Sequence, residues 1–383
     1  MNEKDNNIID ERFDSGQPVA IEKLVLDRGD FESDEAMDIY FENHPEAPRD
    51  AYDFYRKTQN NNLETAQHVI RRATAQGKLK YTLQGLTYGN VVQNCYIGSS
   101  YLYTTQQVNN AAGAKQVISR FPLNGSTTLH RKDEMTLNRF GHGQTLQWFD
   151  NSQKSSYFWV VCKATKVDNP NLSGLDWGTQ IGRFQYQPNT TIDYTDIARI
   201  SSINRANKKG SSFGTLKRCE AALDSSRKYF LIWGMNSSGN VQFAYYRATS
   251  LNKILDNKET QNSKYISAGD SQIINACVDS YPVDKFYSMV ANSSIQGIEF
   301  NDNQSIYISS GASGVSSTIQ KGAWKTKNFA AHATTIRGGV LSNPSKHDVE
   351  TEGIQLKGDY VYLNITTHAD GQRLIFSIPK TEF

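Results

Sequence analysis

Gln84, Gln144, Glu220, Gln296 and Glu352 share a local setting: each is followed by a small residue, then by an apolar one, then by a β-rich run. An amide or carboxylate repeated at one point of a repeated unit can converge with its copies. Amides would then hydrogen-bond the hydroxyls of a ligand, and a desolvated carboxyl could act as a general acid or base. Two histidines lie close by, His142 in Gly141-His142-Gly143-Gln144 and His347 five residues before Glu352. With Arg218 and Glu350 they would form a polar mouth if their loops open on one face, suited to sugar or phosphate. Burying an unpaired amide costs about 1–3 kcal/mol, so the same ring is also explained as a set of pins hydrogen-bonding neighbouring units.

The copies lie 60, 76, 76 and 56 residues apart, which is the length of one four-stranded blade. The expected fold is therefore all-β, a five-bladed β-propeller over residues 76–383, with the recurrent residue on the strand lining the channel. Blade one is expected to begin at Lys80–Tyr88, blade two at Gln144–Phe149, blade three at Glu220–Leu223, blade four at Gln296–Phe300 and blade five at Glu352–Leu356. Short polar turns follow three of these strands, at Asp224-Ser225-Ser226-Arg227, Asn301-Asp302-Asn303-Gln304 and Lys357-Gly358-Asp359. The second strands are apolar, as in Tyr229-Phe230-Leu231-Ile232, which fits blade interiors covered on both faces. Blade five runs out at Pro379 one strand short, so an N-terminal segment must supply its outer strand and close the circle.

Residues 1–75 read differently, as an acidic arm that is disordered or partly helical. Ser33 would cap a helix through Phe41, Pro48 would open a second, and Leu63–Arg72 carries apolar residues at helical spacing. Within residues 1–57 there are 16 acidic against 7 basic residues, a balance of −9. That leaves 34 basic against 23 acidic in the rest of the chain, a balance of +11. A basic body with an acidic arm suits an anionic partner.

Other chemistries find little support. Cys95, Cys162, Cys219 and Cys277 are scattered within apolar runs and read as buried free thiols. No metal-ligand spacing and no cofactor motif stands out; Gly338-Gly339 and the Gly/Ser run at 309–317 lack the residues of a phosphate loop. The chain offers no nucleic-acid motif, no apolar run long enough to span a membrane, and no recognisable signal peptide in its polar first twenty residues.

Several segments occur together in the order seen in one family. These are Gly141-His142-Gly143-Gln144-Thr145, Trp177-Gly178-Thr179-Gln180-Ile181-Gly182-Arg183, Ser202-Ile203-Asn204-Arg205-Ala206 and Glu220-Ala221-Ala222. Asn292-Ser293-Ser294-Ile295-Gln296-Gly297 with Ile306-Tyr307-Ile308-Ser309-Ser310, and then Lys346-His347-Asp348-Val349-Glu350, complete the set. In these the chain resembles the helveticin J family of large, heat-labile bacteriocins over about residues 80–383. The resemblance implies an antibacterial protein without a known enzymatic reaction, acting outside its producer on related Gram-positive bacteria. The expected ligand is a cell-envelope glycopolymer of the target. Similar propellers also resemble parts of phage tails that read wall teichoic acid, so an adhesin without killing activity is the first alternative. A polysaccharide lyase or hydrolase using His142, Glu220 or His347 is the second. The sequence leaves the oligomeric state open.

Overall fold

The computed structural model describes residues 73–110, 113–166 and 176–383. The helices expected at 33–41, 48–55 and 63–72 lie outside the described residues. Five sheets surround one axis as a five-bladed β-propeller.

Each blade starts with the strand nearest the axis, and the next strands follow outwards as an antiparallel meander. The inner strands are Val92–Ile97, Gln147–Asp150, Leu216–Leu223, Gly297–Phe300 and Val349–Lys357. Short turns then reverse the chain. Asp224 Oδ1 accepts from the backbone N–H groups of Lys228 and Tyr229, and Asn301 Oδ1 accepts from those of Asn303 and Ser305. Side chains therefore satisfy backbone donors that the turn frees, the role in which Asp and Asn favour turns. The second strands are the most deeply covered: Phe230, Leu231, Ile232 and Trp233 of Tyr229–Asn236 are fully buried.

The core is not a single mass but five apolar layers, one at each blade-to-blade contact. Trp159 of blade two and Phe230 of blade three meet with ring centroids 4.4 Å apart, and Phe243 of blade three faces Phe329 of blade four at 6.1 Å. All four cysteines are free and buried in or beside these layers, and burial pushes the Cys95 and Cys162 thiols up to about 12.

Closure comes from the N-terminal side. Lys78–Gln84 pairs antiparallel with Gln372–Pro379, with Tyr81 opposite Ile375 and Thr82 opposite Leu374. It is the fourth strand of blade five. Blade one consequently begins not at Lys80–Tyr88 but at Val92–Ile97, and Gln84, exposed on the outer strand, has no place at the channel. The channel position expected for Gln84 belongs to Asn94.

A second device staples the blades. The segment just before the fourth strand of one blade pairs, in parallel, with the fourth strand of the blade before it. Thr128–His130 does this for blade five, Thr191–Asp193 for blade one, Tyr265–Ser267 for blade two and Ala73–Gln76 for blade four. Between blades three and four Trp324 takes that place: its indole Nε1 donates to Asp279 Oδ2 at 2.8 Å, and its ring packs edge-on against Tyr245 and Tyr281. The polar insertion of blade three holds helices Ala248–Glu259 and Ser271–Ala276. The outer strand of this blade, Cys277–Val283, starts only after the second of these helices, where Asp270 caps the backbone N–H of Gln272.

Candidate functional site

The channel has two unlike ends. At the face where the chain enters the inner strands, Gln144, Glu220, Gln296 and Glu352 reach one tier with Asn94. Gln144 Nε2 donates to Gln296 Oε1 at 3.2 Å, spanning from blade two to blade four. Thr145 Oγ1 donates to Glu220 Oε2 at 2.6 Å, and Asn94 Nδ2 donates to the Gln144 carbonyl at 2.8 Å. Ser309 Oγ donates to the Glu352 carbonyl at 2.7 Å. All but the half-buried Gln296 are buried. Side chains of Asn94, Gln144, Glu220 and Gln296 thus tie this tier together, whereas Glu352 is held at its backbone carbonyl.

Arg218 sits at its centre. The guanidinium donates to Gln144 Oε1, pairs with Glu220 at 3.4 Å, and lies 3.7 Å from the Trp177 ring. Burial raises the Glu220 carboxyl, against the pull of Arg218. Burial also lifts Glu352 well above the carboxylate range; the neighbouring Glu350 charge adds to this, and Arg218 opposes it. His142 packs on Trp177 with centroids 4.3 Å apart, and its Nδ1 lies 2.7 Å from Gln107 Oε1. Burial, reinforced by the Arg218 charge, lowers His142 to about 3, so its imidazole is neutral at physiological pH. His347 and Glu350 go elsewhere. His347 Nδ1 meets Asp370 Oδ2 at 2.7 Å, and Glu350 Oε2 meets His368 Nε2 at 2.7 Å, both at the hairpin joining the second and third strands of blade five.

The opposite end is open. A cavity of about 700 Å3 occupies the turn face of the channel and draws residues from all five blades. Its floor is a second polar tier, three residues beyond the first: Gln147, Glu299 and Gln355. Gln147 Nε2 donates to Glu299 Oε1, and Gln355 Oε1 accepts from the Ile97 backbone N–H at 2.8 Å. Burial pushes Glu299 up to about 8, although the Gln147 hydrogen bond and a Leu356 backbone N–H both pull it down.

The walls are aromatic and cationic. Tyr96 stacks with Trp148 at 6.0 Å, and the Arg227 guanidinium lies 4.1 Å from the Trp148 ring centre. Lys357 Nζ donates to the carbonyls of Ile97 and Gly98 at 2.9 and 2.6 Å. Arg227 takes up a left-handed backbone, φ 57°, in the turn that carries it to the rim. One open hollow thus brings together aromatic faces that can stack, amides that can donate and accept, and charged donors. Sequence reasoning passed over Tyr96, Trp148, Arg227 and Lys357. The available signal was the same repeat read three residues further on, where Gln147, Glu299 and Gln355 recur.

A five-bladed propeller with a largely buried polar tier at one end of its channel and an open cavity at the other is the class of protein that fold and site define. The family model described as "Bacteriocin helveticin-J" matches residues 59–377, and the chain belongs to that family. The curated bacteriocin helveticin-J of Lactobacillus helveticus is 25% identical over 317 residues, covering 74% of this chain and 88% of the relative. Among solved structures, the tail fiber of a Staphylococcus aureus phage superposes with a TM-score of 0.52 at 14% identity, over 80% of this chain. This chain spans 53% of that tail fiber, and the likeness is one of fold. The catalytic domain of a Coprinopsis cinerea alpha-L-arabinofuranosidase overlaps at a TM-score of 0.40 and 9% identity, over 81% of this chain and 97% of the enzyme.

Proposed function

We propose that this protein is an antibacterial protein acting outside its producer, and that its propeller holds it to the target through a cell-envelope glycopolymer. Family membership supports the antibacterial part. The observation that carries the recognition part is the open cavity at the turn face, where Tyr96, Trp148 and Arg227 stand over a floor of Gln147, Glu299 and Gln355. Pyranose rings stack their C–H faces on aromatic side chains, and their hydroxyls take hydrogen bonds from amides and guanidinium groups. The buried first tier has a holding role in this reading. Gln144, Glu220, Gln296 and Glu352 keep the five inner strands in register, His142 and Arg218 pack that end, and His347 and Glu350 brace blade five.

The test pairs two readouts on Gram-positive cells: pull-down on intact and on teichoic-acid-stripped walls, with viable counts from the same tubes. Wild type is expected to bind intact walls and lower the counts, while Trp148→Ala and Arg227→Ala lose both. Binding with unchanged counts would turn the reading to an adhesin, and equal binding by Trp148→Ala would remove the cavity from it. A second reading, hydrolysis, rests on Glu299: a carboxyl protonated near neutrality and facing a cavity that Asp224 also lines has the character of a general acid. Release of reducing sugar by wild type and not by Glu299→Gln would establish it.

A further inference from the structure

A second hollow lies on the flank of the propeller, where the loop leaving blade two crosses to blade three. Its volume is about 890 Å3, larger than that of the channel cavity, and its lining includes Lys163 and Arg199 but no Asp or Glu. The contrast with the channel cavity, which contains Asp224 and Glu299, is one of charge.

Arg199 is held as a fixed donor. It is 8% exposed, and its Nε donates to Gln180 Oε1 at 2.8 Å while Nη1 donates to the Ile197 carbonyl at 3.2 Å. The Tyr194 and Tyr265 rings lie 5.1 and 5.3 Å from the guanidinium carbon. Nη2 makes no hydrogen bond among the described residues. A guanidinium anchored on two nitrogens and flanked by two rings has lost its rotamer freedom before any ligand arrives, so an anion meeting Nη2 pays little ordering cost.

Lys163 is exposed and is left-handed, φ 56°, within its strand; Ser202, across the same hollow, is also left-handed at φ 54°. Two non-glycine residues in that conformation lining one hollow mark a backbone held for placement rather than for strand regularity. Both blades build this wall. Tyr265 comes from the blade-three insertion and reaches the hollow because its strand pairs in parallel with Arg199–Ser201, Arg199 standing opposite Tyr265.

We propose that this hollow binds the phosphate of a phosphorylated sugar or polyol unit. The anion would bridge Arg199 Nη2 and the Lys163 ammonium, with its sugar or polyol part against Tyr265 and its hydroxyls toward Ser202 and Asn204. Phosphate fits because it presents several acceptor oxygens to a lining rich in donors and free of carboxylates. The site stands apart from the channel cavity and does not depend on the wall-binding proposal.

The experiment is calorimetric titration of the full chain with α-D-glucose 1-phosphate, with glucose and inorganic phosphate as separate arms. Saturable binding of glucose 1-phosphate is expected, with weaker binding of inorganic phosphate and none of glucose. Lys163→Ala, a change at an exposed side chain, is expected to weaken binding about tenfold, and Arg199→Gln at least as much. Tyr265→Ala should weaken glucose 1-phosphate more than inorganic phosphate, and Lys346→Ala, at an exposed position that lines neither hollow, should leave both unchanged. Equal affinity in Lys163→Ala and wild type, equal binding of glucose, or no saturable heat at millimolar ligand would each overturn the proposal. Loss of wall binding by Trp148→Ala with glucose 1-phosphate binding intact separates this site from the channel.

Discussion

Gln147 and Glu299 face each other across the propeller axis, one from blade two and one from blade four, and the Gln147 amide donates to the Glu299 carboxyl. The pair closes the floor of the open cavity. Glu299 keeps a proton up to about pH 8 because burial disfavours its charge, whereas the unfolded chain releases that proton near 4.5. The folded state thus binds the extra proton between these values, and linkage makes its stability fall as pH rises through that window. Glu299→Gln removes the group. Its melting temperature is expected to decline less than that of wild type between pH 5 and 8, by a few degrees. Parallel curves from differential scanning calorimetry would refute a protonated Glu299. Burial raises Glu220 and Glu352 in the same direction, so the difference between the two proteins, not the wild-type slope, isolates this group.

Arg218 should matter to the fold before it matters to any ligand. It is 2% exposed, and its loss leaves Glu220 buried without its ionic partner and Gln144 Oε1 without a donor. Breaking one half of a buried pair costs about 3–5 kcal/mol, so Arg218→Ala is expected to lower the urea midpoint sharply. Adding Glu220→Gln to Arg218→Ala should recover part of the loss, because the uncompensated carboxyl is then gone. No recovery in the double variant would mean that packing on Trp177, rather than charge pairing, is what Arg218 supplies.

His142 lends itself to a spectroscopic test. An imidazole lowered to about 3 by burial and by Arg218 stays neutral throughout the usual histidine range. Its NMR ring signals are expected to remain in the neutral position from pH 8 to 4. A His142 midpoint near 6.5 would show that solvent reaches the imidazole despite its burial. Because the unfolded chain takes up this proton at higher pH than the folded one, His142 also contributes stability that is lost as pH falls from about 6.5 toward 3.

The recurring small residue of the sequence pattern has a geometric cause. In blades four and five it is Gly297 and Gly353, where adjacent inner strands approach most closely. A Cβ on Gly353 would stand 2.5 Å from Asn94 Oδ1 and 2.6 Å from the Gln93 carbonyl, and one on Gly297 would stand 2.7 Å from the Gly353 Cα. Gly353→Ala is therefore expected to destabilise by roughly 1–3 kcal/mol through overpacking. Gly89→Ala, where a Cβ would meet nothing within 4 Å, should stay within about 0.5 kcal/mol of wild type in the same denaturant assay.

The repeat made the blade count, four of the five inner strands and the channel tier legible in the sequence, because close approach around an axis forces a small residue beside each polar one. Blade one escaped for a physical reason. Its polar residue is Asn94, followed by Cys95 and Tyr96, which does not resemble the other copies, whereas Gln84-Gly85-Leu86 does. Gly85 is a left-handed turn residue, φ 75°, at the end of the closing strand and imitates the pattern for an unrelated reason. Which channel end is open could not be read at all. Arg218, His142 and Gln144 are as polar as Arg227, Lys357 and Gln147, and only the burial that blade packing imposes on the first three, against the exposed Arg227 and Lys357, separates the two ends.

Closure yields the last expectation. A propeller whose first and last blades do not pair leaves two strand edges and two apolar layers open to water. Here the Lys78–Gln84 strand covers the edge of Gln372–Pro379, and its buried Leu83 joins Ile375, Leu129 and Phe121 in the layer between blades five and one. Leu83→Ala is expected to cost about 2–4 kcal/mol by emptying part of that layer. Leu83→Asp puts an unpaired carboxylate in the same place and should cost more, unzip the strand and expose the edge of blade five to other molecules. The measurement is urea unfolding together with size-exclusion chromatography at two protein concentrations. A large loss of stability with concentration-dependent self-association in Leu83→Asp is the expected result. A monomer as stable as wild type would mean that the circle holds without its N-terminal strand.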